Sequence, residues 1–125
     1  MKDFFYSRIR SFRYAFEGWG HVLRHEPNTW IHAVVSVAVF VVAAWLRLPA
    51  RDWAVLLLVM AIVWAAEFFN TAIENIVDLV SPEPHPLAKI SKDVSAAGVL
   101  LTALIAILVG LIILGPPLWN KLQSF

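Results

Sequence analysis

The chain has 125 residues, of which 60% are hydrophobic and 15% are charged, and its formal net charge is +1. An average globular domain carries about 25% charged residues, and a soluble core of this size cannot bury so much apolar surface. We therefore expect one all-α integral-membrane domain over residues 1–125, with no nucleic-acid-binding role. The absence of cysteine excludes disulfides, cysteine-ligated zinc and thiol catalysis.

The first predicted element is a helix over residues 4–24, which carries too many charges to cross a bilayer. Its apolar residues recur at the spacing of one helical face, and they are Phe5, Ile9, Phe12, Phe16, Trp19 and Leu23. We expect an amphipathic helix that lies in the membrane interface. Pro27 should break this helix at Glu26 and place a carboxylate at the start of the next one. Glu26 can alternatively be a helix-start residue favoured by the macrodipole. His25 and His32 lack a metal-ligand partner at a telling spacing, and we interpret them as interfacial polar residues.

Three apolar segments, residues 30–46, 53–80 and 94–114, are predicted to be membrane-spanning helices. The second is about 42 Å long as a helix, which exceeds a hydrocarbon core of about 30 Å. Its last residues should therefore emerge from the membrane. Residues 81–86 contain three prolines and should form a stiff connector, whereas residues 115–117, Gly-Pro-Pro, should end the third span.

Small residues recur every fourth position in the third span, at Gly98, Thr102, Ala106 and Gly110. Such a ridge lets another helix approach closely.

Lysine and arginine are distributed unevenly between the two sides of the predicted topology. One side holds Lys2, Arg8, Arg10, Arg13, Arg24, Lys89 and Lys92, and the other holds Arg47, Arg51 and Lys121. The positive-inside rule then places the N-terminal helix and the second loop in the cytoplasm. The polar residues at this end of the spans should therefore face the compartment that contains ATP.

A narrow polar stripe lies at the end of the second span. At 100° per residue, Glu67, Asn70, Thr71, Glu74 and Asp78 fall on one side of the helix. Ionisable groups at membrane depth are expensive and are functional candidates for that reason. Neighbouring carboxylates repel one another, and Mg²⁺ arriving with nucleotide phosphates would relieve the repulsion. A polar stripe that only packs helices or lines a proton path is the alternative.

The stripe belongs to a longer pattern, which is Glu67-x-x-Asn70-Thr71-Ala72-Ile73-Glu74-x-x-Val77-Asp78, followed fourteen residues later by Lys92-Asp93. This pattern resembles the signature of the prokaryotic diacylglycerol kinase family, which are small integral-membrane lipid kinases. The resemblance covers residues 7–115. It implies a surface helix and three transmembrane helices assembled as a homotrimer with active sites shared between subunits. It also implies ATP-dependent phosphorylation of a lipid hydroxyl at the cytoplasmic face of a bacterial plasma membrane.

The resemblance also assigns roles by position. Glu67 matches the catalytic base and Asn70 the amide beside it, whereas Glu26 and Glu74 match the Mg²⁺ ligands. The residues that match nucleotide-binding positions are Tyr14, Glu26, Glu74, Glu83, His85, Lys92 and Asp93. Ser7 is a departure, because the family has an ATP-contacting arginine there. Asp78 receives no role, and we expect it to pair with a cation.

Two further segments bear on the substrate. They are Ser11-Phe12-Arg13-Tyr14-Ala15-Phe16-x-Gly18 and Glu26-x-Asn28-x-x-Ile31-His32. Both are similar to the undecaprenol kinase branch of the family, which favours a polyprenol substrate over diacylglycerol. A non-catalytic membrane module that senses lipid or scaffolds partners is the alternative from another class. The intact set of carboxylates argues against that alternative, because an idle glutamate at membrane depth is a cost.

Overall fold

The computed structural model describes residues 2–124, without the side chains of residues 2–5 and Ser7. The predictions for Phe5 and Ser7 therefore lie outside the described side chains. The chain forms four helices, which are α1 (Lys2–His25), α2 (Pro27–Trp45), α3 (Ala50–Val80) and α4 (Pro86–Leu122). The last three are long and apolar enough to cross a membrane. The all-α class and the three apolar helices are as predicted.

The break between α1 and α2 consists of one residue. Glu26 has extended backbone angles, φ −106° and ψ 104°, and Pro27 occupies the first turn of α2. Proline is suited to that position, because its missing N–H would have no helical partner there. The Glu26 side chain makes no capping hydrogen bond to α2. Its carboxylate is therefore available for another partner.

A tight turn joins α2 to α3. Arg47 has a left-handed φ of 54°. Its N–H bonds to the Ala44 carbonyl at 3.0 Å, and the Leu48 N–H bonds to the Ala43 carbonyl at 3.2 Å. This pair of bonds is the Schellman arrangement, which satisfies carbonyls that the end of a helix leaves free.

The bounds of α4 differ from the prediction at both ends. The helix starts at Pro86 and not at residue 94, because proline at the first helical position is pre-organised for a helix start. It also continues through Pro116 and Pro117 to Leu122, so the expectation that residues 115–117 end the helix was wrong. Two prolines remove two backbone donors. In an apolar environment, unwinding the chain would leave still more backbone groups without partners.

The helices pack mainly as one pair. α3 and α4 lie against each other most extensively, α2 touches both, and α1 packs on α2. A contact between α1 and α3 is made by Trp19, whose ring stacks on Trp64 with centroids 5.1 Å apart and meets Phe68 at 4.9 Å. Trp64 in turn donates from Nε1 to Ser36 Oγ on α2, at 3.2 Å. Three helices are thus connected next to Glu67.

The opposite end of the helices is marked by a different contact. Lys121 Nζ lies 3.4 Å from the Trp45 carbonyl oxygen and 4.9 Å from the centre of its ring. The end of α4 therefore meets the end of α2. The α1–α2 break and the α3–α4 connector consequently lie at the other end, where the polar residues were predicted to lie.

The small-residue ridge is only partly used for packing within the chain. Thr102, Ala106 and Gly110 are half-buried, whereas Gly98 is exposed. A Cβ added at Gly98 or Gly110 would meet no atom within 4 Å, apart from the helix's own nearby backbone. Neither glycine is therefore required for a close approach within this chain.

We predict that Gly98→Ala and Gly110→Ala leave the chain as stable as the wild type or raise its free energy of unfolding by up to about 1 kcal/mol. The added methyl meets open space, and alanine has the higher helix propensity. Reversible unfolding in detergent measures the change. Ala106→Gly is the matched control and should lower stability by a similar amount. A loss of more than about 2 kcal/mol in both alanine variants would show that another helix does approach closely at these glycines.

Candidate active site

Glu67 is the buried centre of the polar end of the bundle. It lies about 26 Å along α3 from Ala50, within the reach of a hydrocarbon core, and is only 3% exposed. Thr29 on α2 donates from Oγ1 to Glu67 Oε1 at 3.3 Å. His32 Nε2 lies 3.9 Å from Oε2. In the described part of the chain, no lysine or arginine forms an ion pair with this carboxylate. Glu67 therefore faces the protein interior, as the stripe predicted.

Asn70 lies one turn further along α3 and contacts two other site residues. Its Nδ2 donates to Glu74 Oε1 at 3.4 Å, and its Oδ1 accepts from Ser95 Oγ on α4 at 2.6 Å. Ser95 Oγ also lies 2.9 Å from the Lys92 carbonyl oxygen, and its single proton serves one of these acceptors at a time. Asn70 thus orients the predicted metal ligand Glu74 and ties it to α4.

Two ion pairs lie at the start of α4. Lys92 Nζ lies 2.6 Å from Asp78 Oδ1 on α3, which confirms the expectation that Asp78 pairs with a cation. Lys89 pairs with Asp93 one turn away on the same helix. Exposed pairs of this kind contribute little stability. Their effect is to hold two lysines beside the carboxylates.

Glu26 joins this group from the break between α1 and α2. Burial and the negative charges of Glu74 and Glu67 raise the pKa of the Glu26 carboxyl, and the nearby His21 and His25 only partly oppose this. Carboxylates from two separate parts of the chain therefore repel one another. Such a group stabilises a cation placed among its members.

The donor set fits Mg²⁺ that arrives with a nucleotide. Among residues 2–124, no cluster of three or more histidine, cysteine, aspartate or glutamate side chains is arranged to hold a metal. Mg²⁺ is commonly held by one or two carboxylates, with phosphates and waters as its other ligands. Glu26 and Glu74 can supply that number of carboxylates.

An open cleft of about 630 Å³ lies between the end of α3, the connector and the start of α4. It is lined by Glu83, His85, Lys89 and Lys92, among other residues. His85 also caps α4, because its Nδ1 accepts from the Leu87 N–H at 3.2 Å. Three of the predicted nucleotide-binding residues therefore share one cleft. Tyr14 does not line this cleft and is exposed on α1.

Comparison with known proteins identifies the family. The sequence profile described as prokaryotic diacylglycerol kinase matches residues 13–114. The chain belongs to the prokaryotic diacylglycerol kinase family. Its relatives carry the names of lipid kinases.

Three relatives illustrate the range of similarity. A Synechocystis protein named diacylglycerol kinase is 45% identical over 109 residues, which are 86% of this chain and 62% of that protein. A Bacillus subtilis protein named undecaprenol kinase is 36% identical over 110 residues, or 88% of this chain and 89% of that protein. An Escherichia coli diacylglycerol kinase is 28% identical over 106 residues, or 85% and 87% of the two chains. The chain thus spans less than two thirds of the first of these relatives.

Three residues that contact Glu67 or Asn70 were not predicted from the sequence. Thr29 and Ser95 received no role, and His32 was interpreted as an interfacial polar residue. His32 instead has a side chain that is only 18% exposed and faces Glu67. The signal available was spacing, since Thr29 and His32 are three residues apart on one side of α2, just after Glu26. That spacing has no chemical meaning until the partner on α3 is known.

We predict that the metal-free Glu26→Gln variant melts at a higher temperature than the wild type, and that this difference grows as the pH increases. The pKa of Glu26 is raised on folding, so its ionisation costs more in the folded than in the unfolded state. Stability is therefore lost as the pH rises through the folded-state pKa. Glutamine cannot ionise and avoids this loss. Melting curves from about pH 4 to about pH 8 in the presence of a chelator measure the effect.

Glu17→Gln makes the same charge change on an exposed side chain and is the matched control. A Glu26→Gln advantage that is constant across the pH range, or that shrinks with rising pH, would contradict the assignment.

Proposed function

We propose that this protein is an ATP- and Mg²⁺-dependent lipid kinase that transfers the γ-phosphate to the hydroxyl of a membrane lipid alcohol, with undecaprenol as its preferred substrate. The observation that carries the proposal is the buried Glu67 carboxylate, which lies at membrane depth without a lysine or arginine partner in the described residues. Family membership supports the same chemistry. A structural glutamate at this depth would be expected to have a cation beside it.

Glu67 is the proposed general base. As the lipid oxygen attacks the γ-phosphorus, its proton moves to the Glu67 carboxylate, the new O–P bond forms, and the P–O bond to ADP breaks. A lipid hydroxyl is a poor nucleophile, and a carboxylate within hydrogen-bond reach removes its proton as the bond forms. Burial excludes the water that would otherwise compete for the phosphoryl group.

The residues around Glu67 supply binding and orientation. Glu26 and Glu74 would hold Mg²⁺, which neutralises charge on the phosphates when it is bound. Asn70 fixes the Glu74 carboxylate by the hydrogen bond described above. Lys92 and Lys89 border the cleft that also contains Glu83 and His85, and they provide positive charge for a nucleotide's phosphates. Asp93 would act there through its pair with Lys89.

The chain would lie in a bacterial plasma membrane with its N-terminus and active site on the cytoplasmic side. The excess of lysine and arginine at that end supports this orientation. α1 would rest in the interface, because its aromatic side chains Phe12 and Phe16 are 68% and 74% exposed in the isolated chain. A charged helix with such a face is suited to the boundary between headgroups and acyl chains.

Assembly as a homotrimer is the third part of the proposal. None of the residues of α4 is buried in this chain, although the helix is strongly apolar. Lipid or further copies of the chain must cover it, and the family resemblance implies three copies with shared sites. The protein mass within the detergent complex tests this, since three chains of 14.0 kDa are expected.

Diacylglycerol is the second candidate substrate. The 45% identical Synechocystis relative carries the name diacylglycerol kinase, which favours it. The apolar face of α1 favours a polyprenol instead, because the two ester carbonyls of diacylglycerol would lack hydrogen-bond donors there. An unpaired carbonyl in an apolar site costs about 1–3 kcal/mol.

We predict that Glu67→Gln lowers turnover at least about a hundredfold, the usual scale for a general base. Glutamine keeps the shape of glutamate but cannot accept the proton. Phosphate transfer from radiolabelled ATP to lipid measures turnover, and the elution volume in detergent shows whether assembly is intact. Turnover near the wild-type value in a correctly assembled variant would remove Glu67 from the mechanism.

We predict that Glu26→Ala and Glu74→Ala weaken Mg²⁺-ATP binding more than lipid binding, because hard carboxylate oxygens are removed from the proposed metal site. Raising the Mg²⁺ concentration should partly restore nucleotide affinity, measured by titration calorimetry. Glu17→Ala, on the exposed side of α1, is the control and should bind Mg²⁺-ATP as the wild type does. Unchanged affinity in both site variants would show that the metal role is wrong.

We predict a higher kcat/KM for undecaprenol than for diacylglycerol, measured side by side in the same lipid mixture. Phe12→Ser and Phe16→Ser should reduce the difference, because a polar face no longer disfavours ester carbonyls. Phe12→Leu keeps the face apolar and should preserve the preference. Equal or better efficiency with diacylglycerol in the wild type would establish the second candidate.

A further inference from the structure

The two oxygens of the Glu67 carboxylate have different surroundings. Oε1 accepts a hydrogen bond from Thr29 Oγ1 at 3.3 Å. Oε2 lies on the other side, 3.9 Å from His32 Nε2, which is beyond hydrogen-bonding distance. One oxygen thus accepts a hydrogen bond from a neutral donor, whereas the other accepts none from the described residues.

Thr29 is suited to holding a carboxylate. It is the fully buried polar side chain of the site, with 0% exposure, so bulk water cannot readily replace its hydroxyl. Its β-branched side chain has few accessible rotamers, which restricts the position of Oγ1. The residue stands in the first turn of α2, three residues after Glu26. The helix that follows Glu26 therefore also reaches the carboxylate of Glu67.

We propose that Thr29 is a positioning residue for Glu67, whose hydroxyl holds Oε1 so that Oε2, on the His32 side, receives the proton of the lipid hydroxyl. This inference rests on the proposed kinase function. In the reaction the lipid O–H proton passes to Oε2 while the O–P bond forms and the bond to ADP breaks. Thr29 keeps its own proton throughout and contacts neither phosphate nor lipid.

Loss of the Thr29 hydroxyl should affect the rate and not substrate binding. The terminal torsion of glutamate has a broad energy profile, so an untethered carboxylate rotates away from the attacking geometry. We expect Thr29→Val to lower kcat by about ten- to a hundredfold, the range for losing one hydrogen bond to a charged group that sets a reactive geometry. KM for lipid and for Mg²⁺-ATP should stay within about twofold of the wild type.

The experiment compares Thr29→Val, Thr29→Ser, Glu67→Gln and the double variant Thr29→Val/Glu67→Gln in the lipid phosphorylation assay. Serine keeps the hydroxyl and should restore kcat to within about threefold of the wild type. In the Glu67→Gln background, Thr29→Val should have no further effect, because Thr29 acts through the carboxylate that is missing.

Ser36→Ala is the matched structural control. Ser36 also connects α2 to α3 by a hydroxyl hydrogen bond, at 3.2 Å from Trp64 Nε1, but it touches no site residue described above. This variant should lose stability and keep its kcat. If Thr29→Val fails to assemble, the pair Thr29→Ala and Thr29→Ser answers the question, because both lack the γ-methyl and only serine keeps the hydroxyl.

The outcomes separate the two proposals. An inactive Glu67→Gln combined with a fully active Thr29→Val would overturn the positioning role and leave the kinase function standing. Failure of serine to restore kcat, or an equal loss from Thr29→Val in the Glu67→Gln background, would also overturn it. Wild-type turnover in Glu67→Gln, or no lipid phosphorylation by the wild type, would overturn the proposed function and this inference with it.

Discussion

The burial of one carboxylate governs the polar end of this bundle. A glutamate at membrane depth is tolerated only if it faces the protein interior and its oxygens have polar neighbours. α2 meets this requirement at Glu67 with one hydroxyl and one imidazole. Neither is a fixed positive charge, so the carboxylate is solvated without being neutralised. The proposed role as a general base requires such a carboxylate, because one locked in a salt bridge is a poor proton acceptor.

The partners of the polar groups on α3 change from neutral to charged with distance from Glu67. Hydrogen bonds of Asn70 link Glu74 to Ser95 on α4, and the ion pair between Asp78 and Lys92 follows near the surface. Neutral partners surround the deepest carboxylate, and cations appear only where α3 leaves the apolar region. The gradient matches the cost of burying charge, which is highest at depth and low at the surface.

Much of this arrangement is present in the sequence, because it depends on periodicity within single helices. The polar stripe of α3 and the break at Glu26 are examples. The parts that the sequence did not reveal depend on other helices. His32 and Thr29 acquire their meaning only from α3, and the passage of α4 through Pro116 and Pro117 depends on the surrounding apolar medium. The locations of helices were therefore more predictable than their partners.

The orientation of α1 relative to α2 depends on the backbone angles of one non-helical residue, Glu26. The helix has 24 residues and is about 36 Å long, so a rotation of about ten degrees at Glu26 displaces its far end by about 6 Å. Glu26 is also the residue whose carboxyl pKa is raised by the charges of Glu67 and Glu74. The contact of Trp19 with Trp64 and Phe68 restrains α1 close to Glu26 and not at its N-terminal end. A small change in the backbone angle at Glu26 would therefore become a large displacement of the N-terminal end of α1.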